Sequence, residues 1–164
     1  MSYYIIIRGP AASGKTTIAR QLTKELKAHY IDFDAVLAMY NLDKIDEDGI
    51  STQNFIKGNE LILDDVKQKL ESNRFVIIDA CFYRKRHLHH VIKNIPYKHI
   101  IFSLKTPLKE CLLRNKSRKG EMQPKDIKAV YKLVSKLDVG IPIQTKRKTV
   151  REVLEEIKKQ VSNF

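Results

Sequence analysis

The segment that most constrains the fold runs from Gly9 to Thr16 and reads GPAASGKT. It matches the pattern G-x-x-x-x-G-K-[S/T] at every specified position. An apolar, β-branched run (3–8) precedes it, and apolar residues at helical spacing follow from Lys15 to about His29. Between a strand and a helix, such a loop wraps a polyphosphate with backbone N–H groups, and the helix N-terminus attracts its negative charge. The sequence therefore predicts a phosphate-binding loop.

The residue types within this loop predict the bound molecule. In this pattern Lys15 reaches the β- and γ-phosphates, and the hydroxyl of Thr16 binds Mg²⁺. ATP and Mg²⁺ are therefore the expected cofactors, and ATP is preferred over GTP because the chain has no N-K-x-D motif that would read guanine. The residues expected to contact the nucleotide here are Gly9, Ala11, Ala12, Ser13, Gly14, Lys15, Thr16 and Thr17.

Strand-like and helix-like patterns alternate along the rest of the chain. Further short apolar runs predict strands at 29–33, 74–79, 99–104 and 140–145, and helical spacing separates them. Ser51 or Thr52 is expected to cap a long helix, after a polar, turn-like segment at 43–49. The alternation predicts an α/β fold with a mostly parallel sheet and helices on both faces. No linker or repeat interrupts it, so we expect one domain over residues 1–164.

Carboxylates follow two of the predicted strands. Asp79 ends the apolar run FVIID, at the carboxyl end of a parallel strand where ligands bind, and is a candidate to hold Mg²⁺. Asp32 and Asp34 lie in IDFD, and strand alternation would place both on one face. We expect Asp32 to support the magnesium shell and Asp34, further toward the cleft, to accept the proton of an acceptor hydroxyl. Turn and cap roles for these carboxylates stay open.

A basic segment, LLRNKSRKG, is a candidate lid over residues 114–125. Arg114 and Arg118 are four residues apart, so on a helix both would reach the same anion. A closing arginine would neutralise the charge that develops on the transferred phosphoryl group and would exclude water. A solvated basic helix end is the alternative for this stretch taken alone.

Charge and hydropathy limit the partners. The formal net charge is +12, which attracts anions such as ATP or a nucleic acid without choosing among them. No apolar run is long enough to cross a bilayer and no signal peptide is visible, so we expect a cytoplasmic protein without a membrane partner, as a monomer or homodimer. Cys81 and Cys111 stand apart from any spaced cluster and are expected to be buried.

Taken in order, these motifs resemble the P-loop kinase superfamily, which includes nucleoside monophosphate and shikimate kinases. The similarity is greatest to the branch with the polynucleotide 5′-hydroxyl kinase domain, zeta toxins and chloramphenicol phosphotransferases. The segments that carry it are GPAASGKTT, IDFD, FVIIDACF and LLRNKSRKG.

This resemblance implies a three-layer P-loop fold with a five-stranded sheet in the order 2-3-1-4-5 and a short helical lid. It implies lid roles for Arg114 and Arg118 and the base role for Asp34. It places acceptor binding in residues 43–66 and 82–95, with contacts from Arg84 or Arg86. It also implies that the loop at 145–148 lies against adenine.

Three functions fit the sequence. The first is a kinase that phosphorylates a hydroxyl of a small molecule. The second is a kinase of nucleotides or of nucleic-acid 5′-hydroxyl ends, which the net charge favours and the lack of an aromatic stacking platform opposes. The third is an ATP-hydrolysing switch without an acceptor, although Ala80 stands where a water-activating glutamate would follow Asp79.

Overall fold

The computed structural model describes residues 2–46, 48–119 and 122–164. Strands and helices alternate along most of these residues. In chain order the elements are β1 (Tyr3–Arg8), α1 (Lys15–Leu26), β2 (His29–Asp32), α2 (Phe33–Met39), β3 (Ile45–Asp46), β4 (Gly49–Ile50), α3 (Thr52–Glu71), β5 (Val76–Ala80), α4 (Lys85–Asn94), β6 (Lys98–Lys105), α5 (Leu108–Lys116), α6 (Pro124–Lys136), β7 (Ile141–Gln144) and α7 (Val150–Ser162).

The main sheet contains five parallel strands in the order β2-β5-β1-β6-β7. Counted among themselves, these strands follow the order 2-3-1-4-5, so the expected fold class and topology are confirmed. β1 is the central strand, and its residues from Tyr4 to Arg8 are buried because helices cover both faces of the sheet. The phosphate-binding loop therefore leaves the sheet at its centre.

Two hydrophobic clusters, one on each face of the sheet, form the core. On one face, alternate residues of β1 such as Ile5 and Ile7 pack with residues of α1 and α7. On the other face, Tyr4 and Ile6 pack with residues of α2 to α6. The arrangement is a three-layer α/β/α fold, and the second face is the one from which the lid helices project.

The segment between β2 and α3 differs from the sequence-based expectation. The second strand ends at Asp32, whose carboxylate accepts a hydrogen bond from the backbone N–H of Ala35 (3.1 Å) and caps α2. The polar segment at 43–49 contains a short antiparallel hairpin, with Ile45 paired to Ile50. Ser51 then caps α3, as one of the two alternatives predicted, by accepting from the N–H of Asn54 (3.2 Å).

The candidate lid comprises the end of α5, the following turn and the start of α6. Gly120 and Glu121, which the sequence analysis placed in the lid at 114–125, lie outside the described residues. Arg8 ties the other end of α6 to the sheet, because its guanidinium donates to the carbonyls of Val134 and Leu137, each at 3.0 Å. Among the described residues, no helix is long and apolar enough to span a membrane.

Candidate active site

The loop after β1 presents backbone donors at the start of α1. Gly14 precedes the helix with a backbone φ of +93°, a left-handed conformation that residues other than glycine rarely adopt. Within the described chain, no side chain caps this helix and its first turn has no acidic residue. Its first N–H groups are therefore available to an anion, and the helix dipole makes this end positive. This geometry suits a phosphate.

Lys15 lies buried beside two carboxylates that favour its charge. Its Nζ is 3.5 Å from Oδ2 of Asp34. Burial alone would lower the pKa of Lys15, but Asp34 and Asp79 raise it above the ordinary value for lysine. Lys15 is therefore a permanent cation in the loop. Burial raises the pKa of the neighbouring Cys81 to about 12, so this thiol stays protonated and is a poor nucleophile.

Asp79 has the surroundings of a metal-binding carboxylate. It ends the apolar run of β5, is 1% exposed, and accepts a hydrogen bond from the hydroxyl of Tyr30 (3.0 Å) through Oδ2. Its Oδ1 is buried and has no hydrogen-bond partner among the described residues. Burial raises the pKa of Asp79, while Lys15 and the hydroxyl of Thr16 oppose that rise. A buried, unsatisfied carboxylate oxygen beside a threonine hydroxyl is the donor set that Mg²⁺ prefers, so these residues fit the expected cofactor.

Asp32 and Asp34 do not share a strand face, so that expectation was wrong. The strand stops at Asp32 because this residue caps α2, and Asp34 lies in the first turn of the helix. Asp32 contacts Arg20 (3.4 Å) and is not among the residues that line the cavity described below. Asp34 lines that cavity, where its side chain is half exposed and pairs with Lys15. Of the two carboxylates, Asp34 is the one positioned to meet a substrate.

The lid arginines lie over the phosphate-binding loop. Nη1 of Arg114 donates to the carbonyl oxygen of Ser13 (2.8 Å), and its Nη2 pairs with Glu110 (3.3 Å). Arg118 lies in the turn beyond the end of α5 rather than on that helix, and its backbone N–H donates to the carbonyl of Asn115 (3.1 Å). The expected pairing on one helix face is therefore wrong, although both side chains line the same cavity.

This cavity has a volume of about 580 Å³ and two walls of different chemistry. We call one the phosphate wall, which consists of Ala11, Ala12, Ser13, Gly14, Lys15, Thr16, Thr17, Arg114 and Arg118. We call the other, mostly apolar set of lining residues the acceptor wall, which consists of Leu37, Asp43, Ile45, Ile50, Phe55, Tyr83, Met122 and Val130. Asp34 and Cys81 complete the lining. The sequence pattern predicted the phosphate wall residue by residue. For the acceptor it indicated only the segments 43–66 and 82–95, which contribute Asp43, Ile45, Ile50, Phe55 and Tyr83 to the cavity.

The acceptor-contacting roles expected for Arg84 and Arg86 find no support in their positions. Arg84 donates from Nη2 to the carbonyl oxygen of Asp48 (2.6 Å), which fixes the hairpin. Arg86 is exposed on α4, and neither arginine lines the cavity. The hydroxyl of Tyr83 supports the same hairpin by donating to the carbonyl of Ile50 (2.9 Å).

The loop after β7 reaches the back of the phosphate-binding loop. The hydroxyls of Thr145 and Thr106 share a hydrogen bond (2.7 Å), and that of Thr106 also reaches the carbonyl of Ser13 (3.2 Å). Gly9 is packed tightly there, since a Cβ on it would lie 2.8 Å from Oγ of Ser13. The loop at 145–148, which the resemblance places against adenine, is thus joined to the nucleotide loop.

Comparisons with known proteins agree with this geometry. The sequence model of a family described as AAA domain matches residues 5–133. No curated protein matches the sequence.

Several solved structures share the fold along nearly the whole chain. An unliganded sugar kinase from Janibacter sp. HTCC2649 superposes with a TM-score of 0.83 at 15% identity, over 99% of this chain and 95% of that one. The tunicamycin resistance protein of Deinococcus radiodurans gives 0.70 at 24% identity, over 98% and 96%. A gluconokinase from Sinorhizobium meliloti 1021 gives 0.69 at 16%, over 98% and 94%. At these identities the likeness establishes the fold.

Proposed function

The chain belongs to the AAA domain family, and from that premise we propose that it is a kinase that transfers the γ-phosphoryl group of ATP to a hydroxyl of a small molecule. The fold is one that a sugar kinase and a gluconokinase share. The site adds what fold alone does not supply, because function depends on the groups that a fold positions.

The observation that carries the proposal is the position of Asp34 between the two walls. Its carboxylate is 3.5 Å from the ammonium of Lys15 on the phosphate wall, and it faces the same cavity as the acceptor wall. A general base for phosphoryl transfer must meet the acceptor hydroxyl beside the γ-phosphate. Asp34 occupies that boundary.

The reaction follows from these positions. The acceptor oxygen attacks the γ-phosphorus as its proton passes to Asp34, the bond from the γ-phosphorus to the bridging oxygen breaks, and ADP leaves. Lys15 exchanges its contact with Asp34 for the phosphates, which frees the carboxylate for the proton. Arg114 and Arg118 neutralise the negative charge that develops on the transferred group. Magnesium, held by Thr16 and Asp79, would neutralise charge on the β- and γ-phosphates.

The shape of the acceptor wall supports a small acceptor over an oligonucleotide or no acceptor. Leu37, Ile50 and Phe55 enclose space of the kind that buries a small molecule, whereas nucleic acid is bound by basic grooves with stacking aromatics. Ala80, which follows Asp79, has no group that could activate water in an acceptor-free ATPase.

Transfer of labelled γ-phosphate from ATP to a pool of hydroxylated metabolites, nucleosides and 5′-hydroxyl oligonucleotides tests the proposal. Transfer to one small molecule is expected. Lys15→Ala should reduce it by at least about 10²–10³-fold, because a preorganised cation at the transferred group is lost. Lys24→Ala, which removes an exposed lysine of the same helix, is the matched control and should retain activity.

Two outcomes would contradict the proposal. Phosphate release at equal rates with and without every acceptor would identify an ATPase. Transfer to oligonucleotides alone, falling steeply as salt is raised, would identify a polynucleotide kinase.

A further inference from the structure

We propose that the acceptor alcohol carries a protonated amino group and no anionic group, and that Asp43 binds that cation. The inference rests on the proposed function, because it concerns the molecule that fills the acceptor side of the same cavity.

All the cations that line the cavity lie on the phosphate wall. Among the described lining residues these are Lys15, Arg114 and Arg118. Lys15 belongs to the loop itself, and Arg114 is bonded to the loop carbonyl of Ser13. ATP and the phosphoryl group in transfer require these charges. An anionic acceptor would therefore find no cation of its own.

Arg84, which follows Tyr83 of the acceptor wall in sequence, is already engaged. It donates to the carbonyl oxygen of Asp48, and its guanidinium carbon lies 6.0 Å from the ring centroid of Tyr83. Turning Arg84 into the cavity would break its hydrogen bond to the hairpin. A carboxylate or phosphate ester of the acceptor that is buried without a cation loses hydration and gains no compensating charge, so its binding is disfavoured.

Asp43 is the charged group of the acceptor wall. In residues 2–46, 48–119 and 122–164, it forms no ion pair and no side-chain hydrogen bond. Asp34 differs, because Lys15 balances its charge. Asp43 is exposed to solvent and also lines the cavity, so its carboxylate is available to a ligand that brings a positive charge.

The aromatic residues of the acceptor wall bring no positive charge that would oppose a cationic ligand. Phe55 and Tyr83 pack edge to face, with ring centroids 5.6 Å apart, and both line the cavity. Behind them, His87 stacks on Phe55 with centroids 3.8 Å apart, and burial lowers the pKa of His87 to about 3. This imidazole is therefore neutral and adds no positive charge to the wall.

Matched alcohols test the inference by binding rather than by turnover. Phenylglycinol, styrene glycol and tropate share one phenyl-bearing primary alcohol and differ only in an ammonium, a hydroxyl or a carboxylate. Glucosamine, glucose and glucuronate form a second series. Dissociation constants are measured by calorimetry with a non-hydrolysable ATP analogue and Mg²⁺ present. In at least one series the ammonium member should bind about tenfold more tightly than the neutral one, and the carboxylate more weakly than either.

Variants of the hairpin segment assign the preference to Asp43. Asp43→Asn should bring the dissociation constants of the ammonium and neutral members of that series to within about threefold of each other. A threefold difference corresponds to less free energy than one hydrogen bond contributes. Asp46→Asn is the matched control, because Asp46 is exposed in β3 and does not line the cavity, and it should keep the tenfold preference.

Three results would overturn the inference. The carboxylate members could bind as tightly as the ammonium members, no ammonium member could bind at millimolar concentration, or the preference for ammonium could survive Asp43→Asn. Transfer of phosphate to an anionic metabolite in the labelled-ATP assay would overturn it and leave the kinase function standing. Absence of transfer to any acceptor would instead count against the kinase function.

Discussion

The two walls of the cavity are assembled in different ways. The phosphate wall comes mostly from one continuous segment, Ala11 to Thr17, closed by Arg114 and Arg118. The acceptor wall draws single residues from α2, the β3–β4 hairpin, α3, the segment after β5 and α6. The first wall is dictated by the backbone geometry that a polyphosphate requires. The second depends on how separate elements pack, so substitutions in them can change the acceptor without disturbing the nucleotide site.

The packing between elements shows how closely the acceptor wall is fixed. A Cβ on Gly49 would lie 2.8 Å from the hydroxyl oxygen of Tyr83 and 3.1 Å from Cδ1 of Leu133. The hairpin, the segment after β5 and α6 therefore meet at one point. Because α6 begins within the candidate lid, the acceptor wall and the candidate lid share an element.

The largest effect expected at the boundary between the walls is that of Asp34→Asn. Removing the base should lower phosphoryl transfer by about 10²–10⁴-fold, because the acceptor hydroxyl loses its proton acceptor. ATP affinity should stay nearly constant, since the loop donors and Lys15 remain. Single-turnover rates with labelled ATP and separate measurement of nucleotide binding distinguish the two quantities.

Asp64→Asn, a charge-matched change at an exposed site of α3, serves as the control for Asp34→Asn and should retain the wild-type rate. A fully active Asp34→Asn variant would show that the base is another group. Asp32→Asn then tests the supporting role that the sequence suggested for that residue, because asparagine keeps the helix cap and removes only the charge.

Arg114→Ala and Arg118→Ala probe the phosphate wall and should have the next largest effect. We expect turnover to fall by about 10–10²-fold in each case. This decrease is smaller than the one caused by removing a fixed oxyanion donor, because the other arginine remains. Arg114→Ala should be the more severe, since Arg114 also holds the carbonyl of Ser13. The measurements are the turnover number and ATP affinity, with the exposed Lys116→Ala as control.

If only ATP affinity decreased in the arginine variants, both residues would bind ATP in the ground state without stabilising the transition state. Equal, unchanged turnover in both variants would remove them from the reaction altogether.

The contrast between the walls also decides how far sequence could predict this protein. The loop, and the cap at Ser51 or Thr52, follow from local patterns, whereas the strand order was implied by the resemblance to P-loop kinases. The structure confirms the strand order and selects Ser51 as the cap. The helix after β2 was missed because β-strand alternation was extended through Asp34, whereas Asp32 caps a helix at that point. The individual members of the acceptor wall were not identified because, apart from Asp43, they are ordinary apolar or aromatic residues from separate elements. Only their packing shows that Leu37 and Val130 face one cavity.

The smallest expected effect concerns the packing behind the acceptor wall. His87 is fully buried against Phe55, neither ring nitrogen has a hydrogen-bond partner among the described residues, and burial lowers its pKa to about 3, with Arg84 adding to the shift. In the unfolded chain the pKa of histidine returns to about 6.5, so below that pH the unfolded state binds a proton that the native state does not. The contribution of neutral His87 to the free energy of unfolding is therefore fully present above about pH 6.5. It decreases as the pH falls toward 3, by up to about 1.4 kcal/mol per pH unit.

His87→Phe keeps the stacked ring and removes the titration. Its free energy of unfolding, measured with urea between pH 7 and pH 4, should fall less steeply with acid than that of the wild type, with the gap approaching about 1.4 kcal/mol per unit below pH 6. His89→Phe changes an exposed histidine on the same helix and should follow the wild-type slope. Parallel curves for His87→Phe and the wild type would mean that His87 takes up its proton in the folded protein. The acceptor wall would then be backed by a cation at mildly acidic pH, and its preference for ammonium alcohols should weaken over the same range.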